Sequence, residues 1–201
     1  MDKTNSKGFT IIEVVLVLAI AGLIFLMVFV ALPALQRSQR DTQRRNDMSR
    51  VDTSLVQYQT NHSSSSYNLP TNFQPAFCLT NTDFNQFNGQ SEACNFVKEY
   101  MNSGTSGSTV NTFIDPDGSP YNIYFSENWA NKNGDLVTSH GPGQLKKNGS
   151  SYTLGTEFDD HMIYVIVGGR CDGESVVKAQ PRNFAILYRL EGAGTYCIDD
   201  Q

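Results

Sequence analysis

Hydrophobic and polar positions divide the chain into three successive patterns. Across residues 9–35 the apolar run is nearly continuous, interrupted only by Thr10, Glu13, Gly22 and Pro33. Across 36–60, a polar stretch without Gly or Pro, Met48, Val51, Leu55 and Tyr58 recur at helical spacing. Beyond that, short apolar runs alternate with Gly, Pro, Asn and Asp, which is how strands and turns read. The first pattern predicts a membrane-spanning helix. Residues 14–35 carry no charge, and an α-helix of that length covers about 33 Å against a hydrocarbon core of about 30 Å. The run is longer than a secretory h-region and no A-x-A site follows it.

The second pattern predicts that the same helix continues with one apolar stripe, which lays it on a sheet. From Phe9 to Thr60 such a rod would be about 78 Å long. The stretch NHSSSSYNLP ends it at Ser63–Ser66 and Pro70. A connecting region, 71–110, follows, with a short helical candidate at 92–101 and an exposed loop at 102–109. Strand signals come at 112–115, 121–125, 161–169, 175–179, 184–192 and 195–199. Turns punctuate them at Asp117-Gly118, Gly168-Gly169, Asp172-Gly173 and Gly192-Ala193-Gly194. A helix followed by strands is an α+β class: a long N-terminal helix, its first half transmembrane and its second half amphipathic, packed on an antiparallel β-sheet head that ends in a meander.

Composition narrows the functional class. The 201 residues carry a net charge of −5 and only 17% charged side chains. That argues against a dedicated nucleic-acid surface, which would be basic. The distal part is rich in Asn, Ser, Thr and Gly, which suits an exported domain. Four cysteines, Cys78, Cys94, Cys171 and Cys197, fit two disulfides in such a domain. Three pairings are possible; the sequence-local one, Cys78–Cys94 with Cys171–Cys197, is expected. No C-x-x-C occurs, so the spacings do not suit zinc.

Glu13 is the one charge inside the apolar segment. A carboxylate near a bilayer centre costs about 2.5–3.5 kcal/mol on insertion scales, so its presence points to function. The residues around it, Lys7-Gly8-Phe9-Thr10-Ile11-Ile12-Glu13, join a short charged leader directly to the apolar helix. This motif resembles the class III prepilin leader of type IV pilins and their relatives. The resemblance covers about the first 60 residues; the remainder is similar in architecture only. It implies a leader peptide at 1–8, a transmembrane and filament-core helix at 9–35, an amphipathic helix at 36–60 packing on the head, and a globular head at 61–201 with connecting loops, in a pilin-like lollipop. It further implies cleavage between Gly8 and Phe9 by a prepilin peptidase, N-methylation of Phe9, and assembly through the helix.

The physics of the motif is independent of the resemblance. Removing eight residues exposes a cationic amine on Phe9. An unpaired amine and an unpaired carboxylate in an apolar bundle are both costly; paired across subunits, each neutralises the other and fixes register. Gly22 and Pro33 interrupt the helix and are further assembly candidates. Pro33 removes one backbone hydrogen bond and is expected to kink or loosen the preceding turn. Arg37, Arg40, Arg44 and Arg45 outnumber Lys3 and Lys7, so positive-inside counting alone would keep the head cytoplasmic. The leader motif and the cysteines outweigh that count, and Asp41, Asp47 and Asp52 partly offset the arginines.

The stretch DPDGSPYNIYF, 115–125, is a tight turn feeding a strand. It resembles an element of the major pseudopilins of type II secretion and of some pilins. Asp115 and Asp117 are weak calcium candidates beside that turn reading. His62, His140 and His161 form no metal-binding spacing, and FDDH at 158–161 reads as a polar turn opening a strand. Neither a G-x-S-x-G elbow nor a Walker loop is present, so no enzyme and no cofactor is expected. The resemblance implies, as partners, copies of the chain in a helical filament, the prepilin peptidase, an assembly platform with its ATPase motor, and the inner membrane beforehand. It implies a single-pass precursor with a cytoplasmic amino terminus and a surface pilus for adhesion, twitching motility or DNA uptake. The alternative is a pseudopilin or minor pilin of a type II secretion or competence system.

Overall fold

A computed structural model of the chain describes residues 8–61, 76–79, 96, 100–101, 113–126, 129, 145–154, 161–192 and 194–200. The chain divides into two compact units, Met1–Gln39 and Arg40–Gln201. One α-helix, α1 (Ile11–Asn61), contributes to both and continues through Gly22 and Pro33.

In the first unit every large apolar side chain between Phe9 and Leu35 is 43–88% exposed. An apolar surface all round a helix is what a lipid or helix-bundle environment covers. The helix is long and apolar enough to cross a membrane.

In the second unit nine strands follow the helix: β1 (Ala76–Leu79), β2 (Asn122–Phe125), β3 (Leu145–Asn148), β4 (Ser151–Leu154), β5 (Met162–Val167), β6 (Gly169–Asp172), β7 (Ser175–Lys178), β8 (Phe184–Arg189) and β9 (Thr195–Asp199). They form a five-stranded sheet in the order β1-β2-β5-β8-β9 and a four-stranded sheet in the order β3-β4-β7-β6. The fold is α+β, as the patterning predicts.

Three layers result, and strand periodicity explains them. On β5, Ile163, Val165 and Val167 face a core shared with Met48, Val51, Leu55 and Tyr58 of α1. Met162, Tyr164 and Ile166 face a second core with Leu145, Tyr152 and Val176 of the four-stranded sheet. Strand β8 divides in the same way, with Phe184, Ile186 and Tyr188 on one side and Ala185 and Leu187 on the other. The uninterrupted apolar runs at 162–167 and 184–188 are therefore strands buried on both faces. Phe96, Tyr100 and Tyr58 close the helix end of the first core with ring centroids 5.6 Å apart.

The expected single antiparallel meander is corrected in three ways. First, β2 and β5 pair in parallel, with Asn122 opposite Met162 and Phe125 opposite Val165; the residues between them are long enough for the crossover that a parallel pair needs. Second, the described part of the expected strand at 112–115 forms only a bridge between Ile114 and Pro120, and Pro120 has no N–H to donate across it. Third, the β3–β4 hairpin escaped the strand reading. Its signal was present in Gly149-Ser150: Asn148 pairs with Ser151 across that two-residue turn, with Gly149 at φ 63°. The run at 161–169 ends at Gly168, at φ 75°, which separates β5 from β6.

Cys171 on β6 and Cys197 on β9 are disulfide-bonded, with Cα atoms 5.9 Å apart, and tie the four-stranded sheet to the five-stranded one. Cys78 lies on β1, and Cys94 lies outside the described residues, as does most of the 92–101 candidate. Gly169 sits where the sheets meet. A Cβ there would lie 2.8 Å from Val176 Cγ2, 3.0 Å from Ile166 Cγ2 and 3.3 Å from the Ile166 carbonyl oxygen.

Gly169→Ala is accordingly expected to destabilise the head by about 1–3 kcal/mol through overpacking. Leu55→Ala, at a position with no exposure, is expected to cost about 2–5 kcal/mol through the cavity it leaves. Urea midpoints of the purified chain check both; a midpoint unchanged by Leu55→Ala would mean that α1 does not rest on the sheet.

Candidate assembly motif and a buried ionic network

Two constellations stand out. The first opens α1. The Thr10 backbone N–H donates to Glu13 Oε2 at 3.0 Å, and the Thr10 hydroxyl donates to the same oxygen at 2.9 Å. The Glu13 N–H reaches back to Thr10 Oγ1 at 3.4 Å. This is a capping box: residues spaced T-x-x-E satisfy two orphan donors at a helix start. The spacing was legible in Thr10-Ile11-Ile12-Glu13, but attention to Glu13 as an intramembrane charge hid it. Glu13 thus has a local task in the single chain, and its carboxylate is held beside Phe9. Phe9, Ile12, Glu13, Leu16 and Val17 line one open apolar depression on the helix. Gly22 has open space around it, and Pro33 lies within the helix.

The second constellation begins where the head unit begins. Arg44 donates through Nε to Asp115 Oδ2 at 2.7 Å and through Nη2 to Asp115 Oδ1 at 2.8 Å, a bidentate pair. The Arg44 side chain is 6% exposed and that of Asp115 is fully buried. Arg44 Nη1 also meets Asp41 Oδ1 and Glu191 Oε2, each at 3.3 Å. Asp41 in turn accepts the backbone N–H groups of Glu191 and Gly192, both at 2.8 Å, in the turn between β8 and β9. Arg40 Nε donates to Glu191 Oε2 at 2.7 Å. Tyr188 donates to Asp115 at 2.9 Å, and Tyr121 donates to Asp47 at 3.0 Å.

The sequence reading treated these arginines as a membrane flank and missed the network. A signal existed: Asp41 and Arg44 extend the stripe of Met48, Val51, Leu55 and Tyr58 by two further positions of the same helix face. What a single sequence could not supply was the partner, since Asp115 lies 71 residues away.

Electrostatics follow from the geometry. Burial pushes the Asp115 carboxyl up, but the Arg44 fork, the Asp117 N–H and the Tyr188 hydroxyl together hold it below the ordinary aspartate value. The hydrogen bonds to Asp115 raise Arg44 further against its burial. Asp47 is raised by burial, which outweighs the Tyr121 bond and Arg50. Asp52 is raised by burial and by repulsion from Asp200 and Asp199.

The calcium candidates resolve differently from one another. Asp115, Asp117 and His161 each place one possible ligand atom within 4.8 Å of the others. Both oxygens of Asp115 are already engaged twice, however: Oδ1 by Arg44 and the Asp117 N–H, Oδ2 by Arg44 and Tyr188. A cation would have to displace the guanidinium. The geometry instead supports a turn: the Asp115 N–H donates to the Ser119 carbonyl and the Gly118 N–H to the Asp115 carbonyl, each at 2.8 Å. His161 opens β5, and its carbonyl accepts the Asn122 N–H at 2.9 Å.

The pH dependence carries a defined sign. A carboxyl held below its unfolded value stabilises fully above that value, about 3.9 for Asp, and loses its contribution as pH falls through the folded value. Asp115 has this sense. Asp47 and Asp52, raised, have the opposite one: their contribution is present at low pH and lost as pH rises through their folded values. Acid unfolding of the natural chain is therefore expected to contain a component below about pH 4 that Asp115→Asn lacks. Arg44→Met, which leaves Asp115 buried without its cation, is expected to cost about 3–5 kcal/mol near neutrality. Urea midpoints from pH 3 to 7 measure both; an unchanged acid profile in Asp115→Asn would contradict the assignment.

Comparison with known proteins bears on the amino-terminal constellation. Residues 3–29 match the family model of the prokaryotic N-terminal methylation motif. Comparisons with curated proteins and with solved structures found no match. The chain thus carries a prokaryotic N-terminal methylation motif on an apolar helix followed by antiparallel-rich sheets.

Proposed function

We propose that the chain is a structural subunit of a type IV pilus-like surface filament, made as a single-pass membrane precursor with its amino terminus in the cytoplasm. A prepilin peptidase removes residues 1–8, cutting between Gly8 and Phe9, and methylates the Phe9 amine. The apolar helix then passes from bilayer to filament core, where the Phe9 amine of one subunit meets Glu13 of another. Gly22 and Pro33 loosen the helix as it packs, and the head supplies the outer contacts with copies of itself. An assembly platform and ATPase motor drive the exchange, and the fibre serves adhesion, motility or DNA uptake.

The observation carrying this reading is the methylation motif at residues 3–29, joined to a helix whose apolar side chains are exposed on every side through Leu35. A second reading, a pseudopilin or minor pilin of a secretion or competence system, draws on the Asp115–Tyr121 turn. Subunit counting in purified fibres separates the two, because a major pilin dominates the mass.

Mass spectrometry of the mature protein is expected to show Phe9 as the first residue, bearing one methyl group. An intact Met1 terminus in cells with an active peptidase would overturn the processing step. Glu13→Ala and Glu13→Gln are both expected to insert into the membrane, be processed, and then fail to grow normal fibres. Glutamine still completes the capping box, so normal fibres from Glu13→Gln alone would assign Glu13 to helix capping and remove charge pairing.

A further inference from the structure

We propose that Arg44 and Asp41 form a register latch. It stops α1 from sliding along the five-stranded sheet, so that a pull along the helix enters the head through directional bonds and not through apolar contact alone.

The apolar stripe cannot do this by itself. Met48, Val51, Leu55 and Tyr58 repeat every three to four residues, so a slip of one turn, about 5.4 Å, brings each to the site of its neighbour. Hydrophobic contact is non-directional and resists such a slip weakly. The polar network does not repeat. A one-turn slip draws the Arg44 guanidinium off Asp115, whose side chain is fully buried, and leaves two uncompensated charges. It also takes Asp41 from the N–H groups of Glu191 and Gly192.

Three observations support the latch independently. The anchors come from two turns far apart in sequence, at Asp115 and at Glu191–Gly192, and the Arg44 side chain bridges both. The Gly192 backbone approaches so closely that a Cβ there would lie 2.8 Å from Asp41 Oδ2. The network also occupies the first two turns of the head unit, which starts at Arg40, so load passing along the chain from residue 39 meets it before the stripe. A buried ion pair is a poor source of net stability, and fixing register is its best-attested use.

The latch rests on the filament reading for its purpose, because there the helix is held while the head is dragged. Its test needs no fibre, so either can fail alone. The full chain in detergent would be pulled with one handle at exposed Gln43 and the other at exposed Arg182, whose carbonyl accepts from Gln59 near the far end of α1, which loads the helix lengthwise. Moving the first handle to Gln57 peels the helix off instead. Arg44→Gln with Asp115→Asn removes both charges but keeps an acceptor for Tyr188. Its urea midpoint is expected to change little, while its rupture rate at a fixed lengthwise load rises about 100-fold and its peeling rate stays near that of the natural chain. An equal rise in both geometries, or none lengthwise, would overturn the latch. If that pair fails to fold, Asp41→Asn removes the charge that accepts the Glu191 and Gly192 N–H groups. A several-fold faster lengthwise rupture at an unchanged urea midpoint is then expected, and an unchanged rate would reject the proposal.

Discussion

One continuous helix from Ile11 to Asn61, its backbone ladder missing only the N–H of Pro33, is the constraint from which the molecule follows. A helix satisfies its own amides and carbonyls, so its first half can lie where no water reaches. The same ladder then presents a single face to a sheet. Only the side chains change between the halves: apolar on all sides up to Leu35, then buried and apolar along the stripe of Met48, Val51, Leu55 and Tyr58. The capping box at Thr10 and Glu13 completes the ladder at its start.

The five-stranded sheet answers the stripe with side chains of one parity and a second sheet with the other. That arrangement makes β5 and β8 apolar without alternation. It also makes the Cys171–Cys197 bridge useful, since the bond crosses between sheets and not along one hairpin. The close approach of Gly169 to Val176 and Ile166 belongs to the same joint.

Where the helix enters the head, burial is polar. Arg44, Asp115, Asp41 and Glu191 compensate one another, with Tyr188 and the backbone N–H groups of Asp117, Glu191 and Gly192 taking further acceptor sites. Removing one partner is costly because the others stay desolvated, whereas replacing all of them with apolar groups need not be. The network therefore contributes more to where the helix sits than to how stably it sits.

Much of this was written in local pattern. Membrane-spanning length, the leader motif, the stripe at residues 48–58, most strand positions and the glycine turns at 118, 168, 173 and 194 follow from spacing of two or three to four residues, which one sequence displays directly. The β3–β4 hairpin was also local, announced by Gly149-Ser150, but its strands carry too few apolar residues to stand out. The parallel pairing of β2 with β5, the split into two sheets, and the partnership of Arg44 with Asp115 were decided by tertiary structure alone. Each joins positions tens of residues apart. Charge and hydropathy at one end leave many candidates at the other, and only the packing of the intervening chain selects among them.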